Sequence, residues 1–428
     1  MKTLYLHIGQ PKTGTTTLQH FLAANSAELE AQGLAYPLMP YRWGIAVPER
    51  NAHFLAAPDT DASGVPLDQE EREHRNRCLD IVGAALESHD AVLLSDENLW
   101  VRAAFGNTAF LHVVQQLASV HGCDVKVIAF LRRPDRLAMS MYSEKAKFPL
   151  RKRVIPWKRW LKRQGPVFDA LPILESISAN VGRENVIAHV YAGIPHDNRE
   201  PYALHDEFLG CLGLERTDAM DARGGDKNTS RLTPNYIACI NAIKRSPSFT
   251  PTPDKNNIFI ATACELSAAP SDTPRMQMFS AEEARAFVQA RADDHARIAR
   301  DYLHTTGPLF DDAYPDIRKW TPGNRWLKSD ALRYFCEVAR RQNALAGYDE
   351  YDEYDEYDEY DGYGGYGERR ESPAADEPTS DRPSADTLRH MMSELAEELC
   401  ARQNRIDAGD SVDVLTSDDI RARGEELL

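Results

Sequence analysis

Gly9-Gln-Pro-Lys12-Thr-Gly14-Thr15-Thr16-Thr17-Leu18 follows directly on the apolar stretch Leu4-Tyr-Leu-His-Ile8. The apolar run reads as a short buried strand. Residues Thr16 to Ala31 read as an amphipathic helix with Leu18, Phe21, Leu22 and Leu29 on one side. A Gly/Pro/Thr turn lies between them, so strand, loop and helix follow in that order. Such a loop aims backbone N–H groups, the positive end of the helix dipole and hydroxyl donors at one point, which is where an anion belongs.

Spacing narrows the choice of anion. Gly9 and Gly14 keep the G-x4-G spacing of a nucleoside-triphosphate loop, but Thr15 stands where that motif carries its lysine. The lysine lies inside the loop instead, at Lys12. Further along, Val125-Lys-Val-Ile-Ala-Phe-Leu131 reads as a second buried strand. It ends in Arg132-Arg133-Pro134-Asp-Arg136-Leu-Ala-Met-Ser140-Met-Tyr142. Pro134 fits the first turn of a helix, where its missing N–H does no harm. Arg132 then sits at the strand end and Ser140 about two turns into the helix. A fixed guanidinium fork and a hydroxyl can hold a phosphate monoester, and arginine does so better than lysine.

Together the two segments resemble the nucleotide elements of one family. Pro-Lys-x-Gly-Thr-Thr resembles the 5′-phosphosulfate loop of sulfotransferases that use 3′-phosphoadenosine 5′-phosphosulfate (PAPS). Arg-x-Pro-x5-Ser-x-Tyr resembles the 3′-phosphate element of the same enzymes, in the bacterial-type group related to carbohydrate and heparan-type sulfotransferases. Less specific likenesses run through Ser95-Asp-Glu97, Gly182-Arg-Glu-Asn-Val, Asp206-Glu-Phe-Leu-Gly-Cys-Leu-Gly and Leu309-Phe-Asp311, so the resemblance spans roughly residues 2 to 317. It implies an α/β fold: a P-loop-like three-layer sandwich with a central parallel sheet flanked by helices. It also implies PAPS as co-substrate, without a metal, and in-line transfer of a sulfuryl group to an acceptor hydroxyl. By this likeness Lys12, Thr13, Gly14, Thr15, Thr16, Thr17, Arg132 and Ser140 bind the donor, and Lys12 also stabilises charge growing on the leaving oxygen.

The acceptor hydroxyl needs a general base. Glu97 ends the predicted parallel strand Asp90–Ser95, the edge at which open α/β sheets bind ligands. His53, in Arg50-Asn-Ala-His53, matches a histidine recurring at about this place in related sequences, and its ordinary pKa lies near neutral. Related enzymes use either residue type, so both stay as candidates. Lys227, Asn228 and Ser230 resemble a segment that closes over the nucleotide, whereas His7 alternates within the first strand and is expected to be core.

Charge separates the body from the tail. Residues 348–428 hold 25 Asp+Glu and 8 Lys+Arg, a net of −17, while the whole 428-residue chain is −16, which leaves the body at +1. From Tyr348 the sequence repeats Tyr-Asp-Glu four times, a low-complexity tract expected to be disordered. The reading is thus a catalytic domain over 1–345, an acidic linker over 346–384, and a terminal segment over 385–428. In that last part Leu388, Met391, Met392, Leu395 and Leu399 mark a short amphipathic helix able to dock on the body or on a partner. Within the body, Lys126 to Arg163 carries 13 Lys+Arg against 2 Asp+Glu, a field that gathers anions. An anionic glycan or lipid-linked sugar suits it as acceptor. No nucleic-acid module is recognisable, and none is expected as partner.

The seven cysteines are scattered, with no CxxC and no Cys/His cluster in the sequence, so neither a disulfide framework nor a zinc site is expected. The chain enters its first strand without a charged-then-apolar leader and has no run of about 18 apolar residues. A cytoplasmic enzyme is therefore expected. Two rival readings stand beside it: a P-loop small-molecule kinase, and a non-catalytic nucleotide- or anion-binding protein.

Overall fold

The computed structural model describes residues 2–40, 49–56, 69–148, 155–192, 202–221, 232–251, 257–269, 276–314, 318–348 and 383–428. The acidic repeat beyond Tyr348, the Arg151-Lys-Arg153 triplet, and Lys227, Asn228 and Ser230 lie outside them. The chain divides into two compact units. Unit 1 comprises Met1–Tyr142, Pro156–Thr229 and Ala281–Asp316; unit 2 comprises Ser143–Ile155, Ser230–Ser280 and Ile317–Leu428.

Unit 1 is built on five strands: β1 (Lys2–His7), β2 (Leu34–Ala35), β3 (Ala91–Ser95), β4 (Cys123–Leu131) and β5 (Val186–Val190). All pair in parallel, in the order β2-β3-β1-β4-β5. β1 leads through α1 (Thr15–Ala24) and α2 (Ser26–Ala31) to β2. α3 (His53–Ala56) and α4 (Gln69–Ser88) precede β3, and α5 (Asn98–Ala104) and α6 (Ala109–His121) lead to β4. α7 (Pro134–Lys147), α8 (Trp157–Arg163) and α9 (Ala170–Val181) precede β5, which α10 (Ala203–Cys211) follows. The chain runs from β1 toward β2 but from β4 toward β5, so the strand order reverses between β1 and β4. That reversal opens a crevice at their C-terminal ends.

Alternation along the strands assigns the two faces. Tyr5, Leu93, Ile128 and Phe130 form one cluster with Leu18, Phe21 and Leu22 of α1 and Leu204, Phe208 and Leu209 of α10. Leu4, Leu6, Val92, Leu94, Val127 and Ala129 point the other way and are also fully buried. α4 lies against β3, and α6 and α9 against β4. Burial on both faces is what makes these strands read as continuous apolar runs. The single helix expected over Thr16–Ala31 is two helices that break at Asn25. The Asn25 side-chain amide donates to the Phe21 and Asp221 carbonyls (2.8 and 3.0 Å) and accepts from the Asp221 N–H (2.8 Å), so at the break it shares the Phe21 carbonyl with its own backbone N–H (3.1 Å).

His7 is core, as its alternation implies. It is 0 % exposed, with Nδ1 2.9 Å from Ser95 Oγ and its ring edge-on to Phe208. Burial lowers its pKa to about 3. The unfolded chain therefore takes up this proton as pH falls through 6.5, while the folded chain refuses it until about 3. Stability present above pH 6.5 is lost progressively below it, at about 1.4 kcal/mol per pH unit from this group alone. Denaturant unfolding of His7→Gln from pH 7 to 4 should show a slope shallower by about that amount; parallel slopes would refute the assignment.

Unit 2 gathers the helices Pro234–Arg245, Ile258–Ala268, Leu327–Leu345, Ala385–Asp407 and Ser417–Glu426. Leu388, Met391, Met392, Leu395 and Leu399 are all buried, against Pro234–Arg245 and Leu327–Leu345. The helix whose docking the sequence leaves open thus packs within the chain. Arg402 secures it, donating to Asn343 Oδ1 and the Asp413 carbonyl at 2.8 and 2.7 Å. Among the described residues no helix is long and apolar enough to cross a membrane.

Candidate functional site

β1 does not stop abruptly: the Ile8 N–H still reaches the Ile128 carbonyl at 3.1 Å. Gly9 then turns the chain with φ 53°, Lys12 has φ 67° and Gly14 has φ 79°. Only the two glycines adopt that left-handed backbone without steric cost, so Lys12 is held there by its surroundings. The Thr13 hydroxyl donates to the Gln10 carbonyl (2.6 Å), and Gln10 Oε1 accepts from the Arg132 N–H (2.7 Å). The Arg132 guanidinium closes the loop by donating to the Lys12 carbonyl. Two segments 120 residues apart in sequence therefore meet at the crevice between β1 and β4.

Gly14 is the N-cap of α1, and no side chain caps that end. The first backbone bond of the helix runs from Leu18 N–H to the Gly14 carbonyl (3.0 Å), so among the described residues the N–H groups of Thr15, Thr16 and Thr17 have no protein acceptor. Thr15 is 4 % exposed and its Oγ1 also lacks a partner. A buried hydroxyl and three free N–H groups at a helix start form an uncompensated donor set. Gly14 is also hemmed in: a Cβ there would lie 2.5 Å from Leu204 Cδ2 of α10. Gly14→Ala should cost about 2–3 kcal/mol from left-handed strain and overpacking. In a double-mutant cycle, Leu204→Ala should recover the overpacking part; strict additivity in chemical unfolding would count against that contact.

The adjacent arginines part company. Arg133 is buried, paired with Asp135 (2.8 Å) and Asp311 (2.8 Å), and lies over the Tyr314 ring. Arg132 has no carboxylate partner among the described residues; its guanidinium lies 5.5 Å from the Tyr191 ring centroid. Burial is the largest influence on its pKa and lowers it. Ser140 sits half-buried in the second turn of α7 without a hydrogen bond among the described residues. Among the described residues Arg132 is thus a cation without a carboxylate, and Ser140 a hydroxyl without a hydrogen bond.

Acidic groups follow β3. Asp96 is fully buried; Arg50 Nη2 donates to both of its carboxylate oxygens, each at 2.7 Å, and Asn98 N–H donates to Oδ1 at 2.7 Å. Burial pushes its carboxyl up and the Arg50 guanidinium opposes that. Glu97 is held far more loosely, 3.5 Å from Gln19 Nε2 and 3.8 Å from Arg50 Nε. It stands beside the loop: a Cβ on Gly9 would touch Thr15 Oγ1 at 3.2 Å and Glu97 Cβ at 3.3 Å.

His53 is turned elsewhere. Its Nδ1 is 2.7 Å from the Arg50 carbonyl and its Nε2 is 3.2 Å from His74 Nε2 on α4. Burial lowers its pKa. Among the described residues Lys12, Arg132, Gly9, Thr15 and Glu97 come together, whereas His53 meets none of them through a hydrogen bond.

Sequence reasoning missed Gln10, Gln19, Arg50 and Asp96, although all four lie inside segments it singled out. It also found no Cys/His cluster, because His53, His74 and Cys78 converge only in space. The basic stretch is visible as α8, with Lys158, Arg159, Lys162 and Arg163 exposed while Trp160 is buried against Tyr142. Comparison with family models, with curated proteins and with solved structures finds no match.

Proposed function

We propose that the chain is a PAPS-dependent sulfotransferase acting on a hydroxyl acceptor. The observation that carries the reading is the donor set at the start of α1, with Thr15 Oγ1 buried and unpartnered, joined by the Arg132 guanidinium across the β1/β4 crevice. The free N–H groups and Thr15 receive the 5′-phosphosulfate, and Arg132 with Ser140 receives the 3′-phosphate. Lys12 stabilises charge growing on the oxygen that bridges sulfur and the 5′-phosphate. Acceptor oxygen, sulfur and leaving oxygen align in a displacement governed by positioning and electrostatics.

Glu97 is the better candidate for the base. It lies beside the loop on long contacts only, while His53 Nε2 is engaged by His74. The exposed cations of α8 favour an anionic acceptor such as an acidic glycan or lipid-linked sugar. A cytoplasmic location belongs to the same proposal.

Incubating the purified full chain with sulfur-labelled PAPS and a panel of glycan, lipid-linked and small hydroxyl acceptors tests the reading. Label should pass to one acceptor class and stop on Lys12→Ala. Phosphoryl transfer from ATP with magnesium would establish a kinase instead, and nucleotide binding without any transfer would establish the non-catalytic reading.

A further inference from the structure

His53, His74 and Cys78 place one ligand atom each within 4.8 Å of one another, on α3 and on a single face of α4 at i, i+4 spacing. The separations are informative. His53 Nε2 and His74 Nε2 are 3.2 Å apart, and His74 Nε2 and Cys78 Sγ are 3.6 Å apart. A tetrahedral zinc with bonds of about 2.05 Å to nitrogen and about 2.3 Å to sulfur sets its ligand atoms about 3.3 Å (N to N) and about 3.6 Å (N to S) apart. Both observed edges fall close to those values.

The outer groups fit as well. A backbone carbonyl only accepts, so the 2.7 Å contact with Arg50 puts the proton of His53 on Nδ1 and leaves the Nε2 lone pair facing His74. A carbonyl behind the non-ligating nitrogen is the usual way a metal-binding imidazole is oriented. His74 and Cys78 are buried and His53 is half-buried, which makes His53 the entry side. Cys78 forms no disulfide.

We propose that His53, His74 and Cys78 form a binding site for a borderline-soft divalent transition metal, with zinc as the natural fit. Two imidazoles and a thiolate suit zinc rather than magnesium or calcium. On binding, the Sγ–H bond gives way to an Sγ–metal bond and the proton leaves to solvent. Three protein donors leave the fourth tetrahedral position to water or another small ligand. The site also has a structural consequence. Arg50 gives its carbonyl to His53 and its guanidinium to Asp96, so a metal joining His53 to α4 would fix the segment that braces the end of β3 beside Glu97. The inference does not depend on what the β1/β4 crevice binds.

The test uses the full chain, stripped with chelator and gel-filtered. With Zn2+ it should retain one ion per chain, and its Tm should rise. With Co2+ it should show visible d–d bands of tetrahedral intensity and a thiolate-to-cobalt charge-transfer band. Cys78→Ser should remove the charge-transfer band. His74→Gln should weaken zinc binding by more than the roughly 10–100-fold that loss of an outer partner costs. The wild-type stoichiometry and spectrum need no variant, so a variant that fails to fold does not spare the proposal. A folded wild type that retains no zinc overturns it, as does a cobalt spectrum unchanged in Cys78→Ser, which would place the metal on another cysteine.

Discussion

Lys12→Ala is expected to lower kcat/KM for transfer from PAPS about 10²–10³-fold, the loss of roughly 3–4 kcal/mol that follows removal of one preorganised charge-stabilising donor. The lysine lies in the loop between Gly9 and Gly14, where charge on the leaving oxygen develops in the proposed reaction. A second variant separates chemistry from folding. Lys12 occupies a left-handed backbone with φ 67°, which costs a residue with a Cβ about 1–2 kcal/mol relative to glycine. Lys12→Gly and Lys12→Ala lose the same amine, so both should lose transfer alike. The glycine variant should nonetheless be the more stable of the two by about 1 kcal/mol in chemical unfolding. Equal stabilities would mean that the loop relaxes when the side chain is removed. Retained transfer in both would remove Lys12 from the mechanism.

Arg133→Ala and Arg132→Ala are expected to diverge, although the residues are neighbours. Arg133 and Asp135 are each about 3 % exposed in their side chains and bond at two points, 2.8 and 3.0 Å. Arg133 also donates to the carbonyls of Asp311 and Ala313 at 3.0 and 2.9 Å. Removing it strands the Asp135 carboxylate and should cost about 3–5 kcal/mol of stability. Arg132 has no such carboxylate, and burial works against its charge. Arg132→Ala should therefore stay within about 1 kcal/mol of the parent in stability, yet lose the extra rise in Tm that a 3′-phosphorylated nucleotide gives over its 5′-monophosphate. Urea unfolding with and without nucleotide separates the two effects. The same loss of stability in both variants would show that Arg132 is structural too.

The sheet and the loop were legible for a physical reason. Strands buried on both faces carry unbroken apolar runs, and Gly9, Pro11 and Gly14 punctuate the turn after the first. Pro134 marked the start of α7 in the same way. What sequence could not reveal depends on long-range contacts. Nothing in Arg132-Arg133 says which guanidinium Asp311 will claim, because that carboxylate lies 178 residues further on. The break at Asn25 needs Asp221, and the cluster of His53 with His74 and Cys78 needs α4 to dock. From residue type alone both Glu97 and His53 are candidate bases, with His53 slightly ahead because an ordinary imidazole titrates near neutral. The fold sets Glu97 beside the loop and His53 against His74. The terminal helix showed its apolar stripe plainly, but the stripe does not name what covers it.

Calorimetric binding of adenosine 3′,5′-bisphosphate and of adenosine 5′-monophosphate to the parent chain and to Arg132→Ala tests the account most directly. The two ligands differ only in the 3′-phosphate, and the two proteins only in the guanidinium assigned to it. The parent should prefer the bisphosphate by at least about tenfold, the worth of one charge-assisted contact, and Arg132→Ala should lose that preference while still binding the monophosphate. Equal affinity of the parent for both nucleotides, or a preference that survives in Arg132→Ala, would contradict the claim that this crevice is a PAPS site.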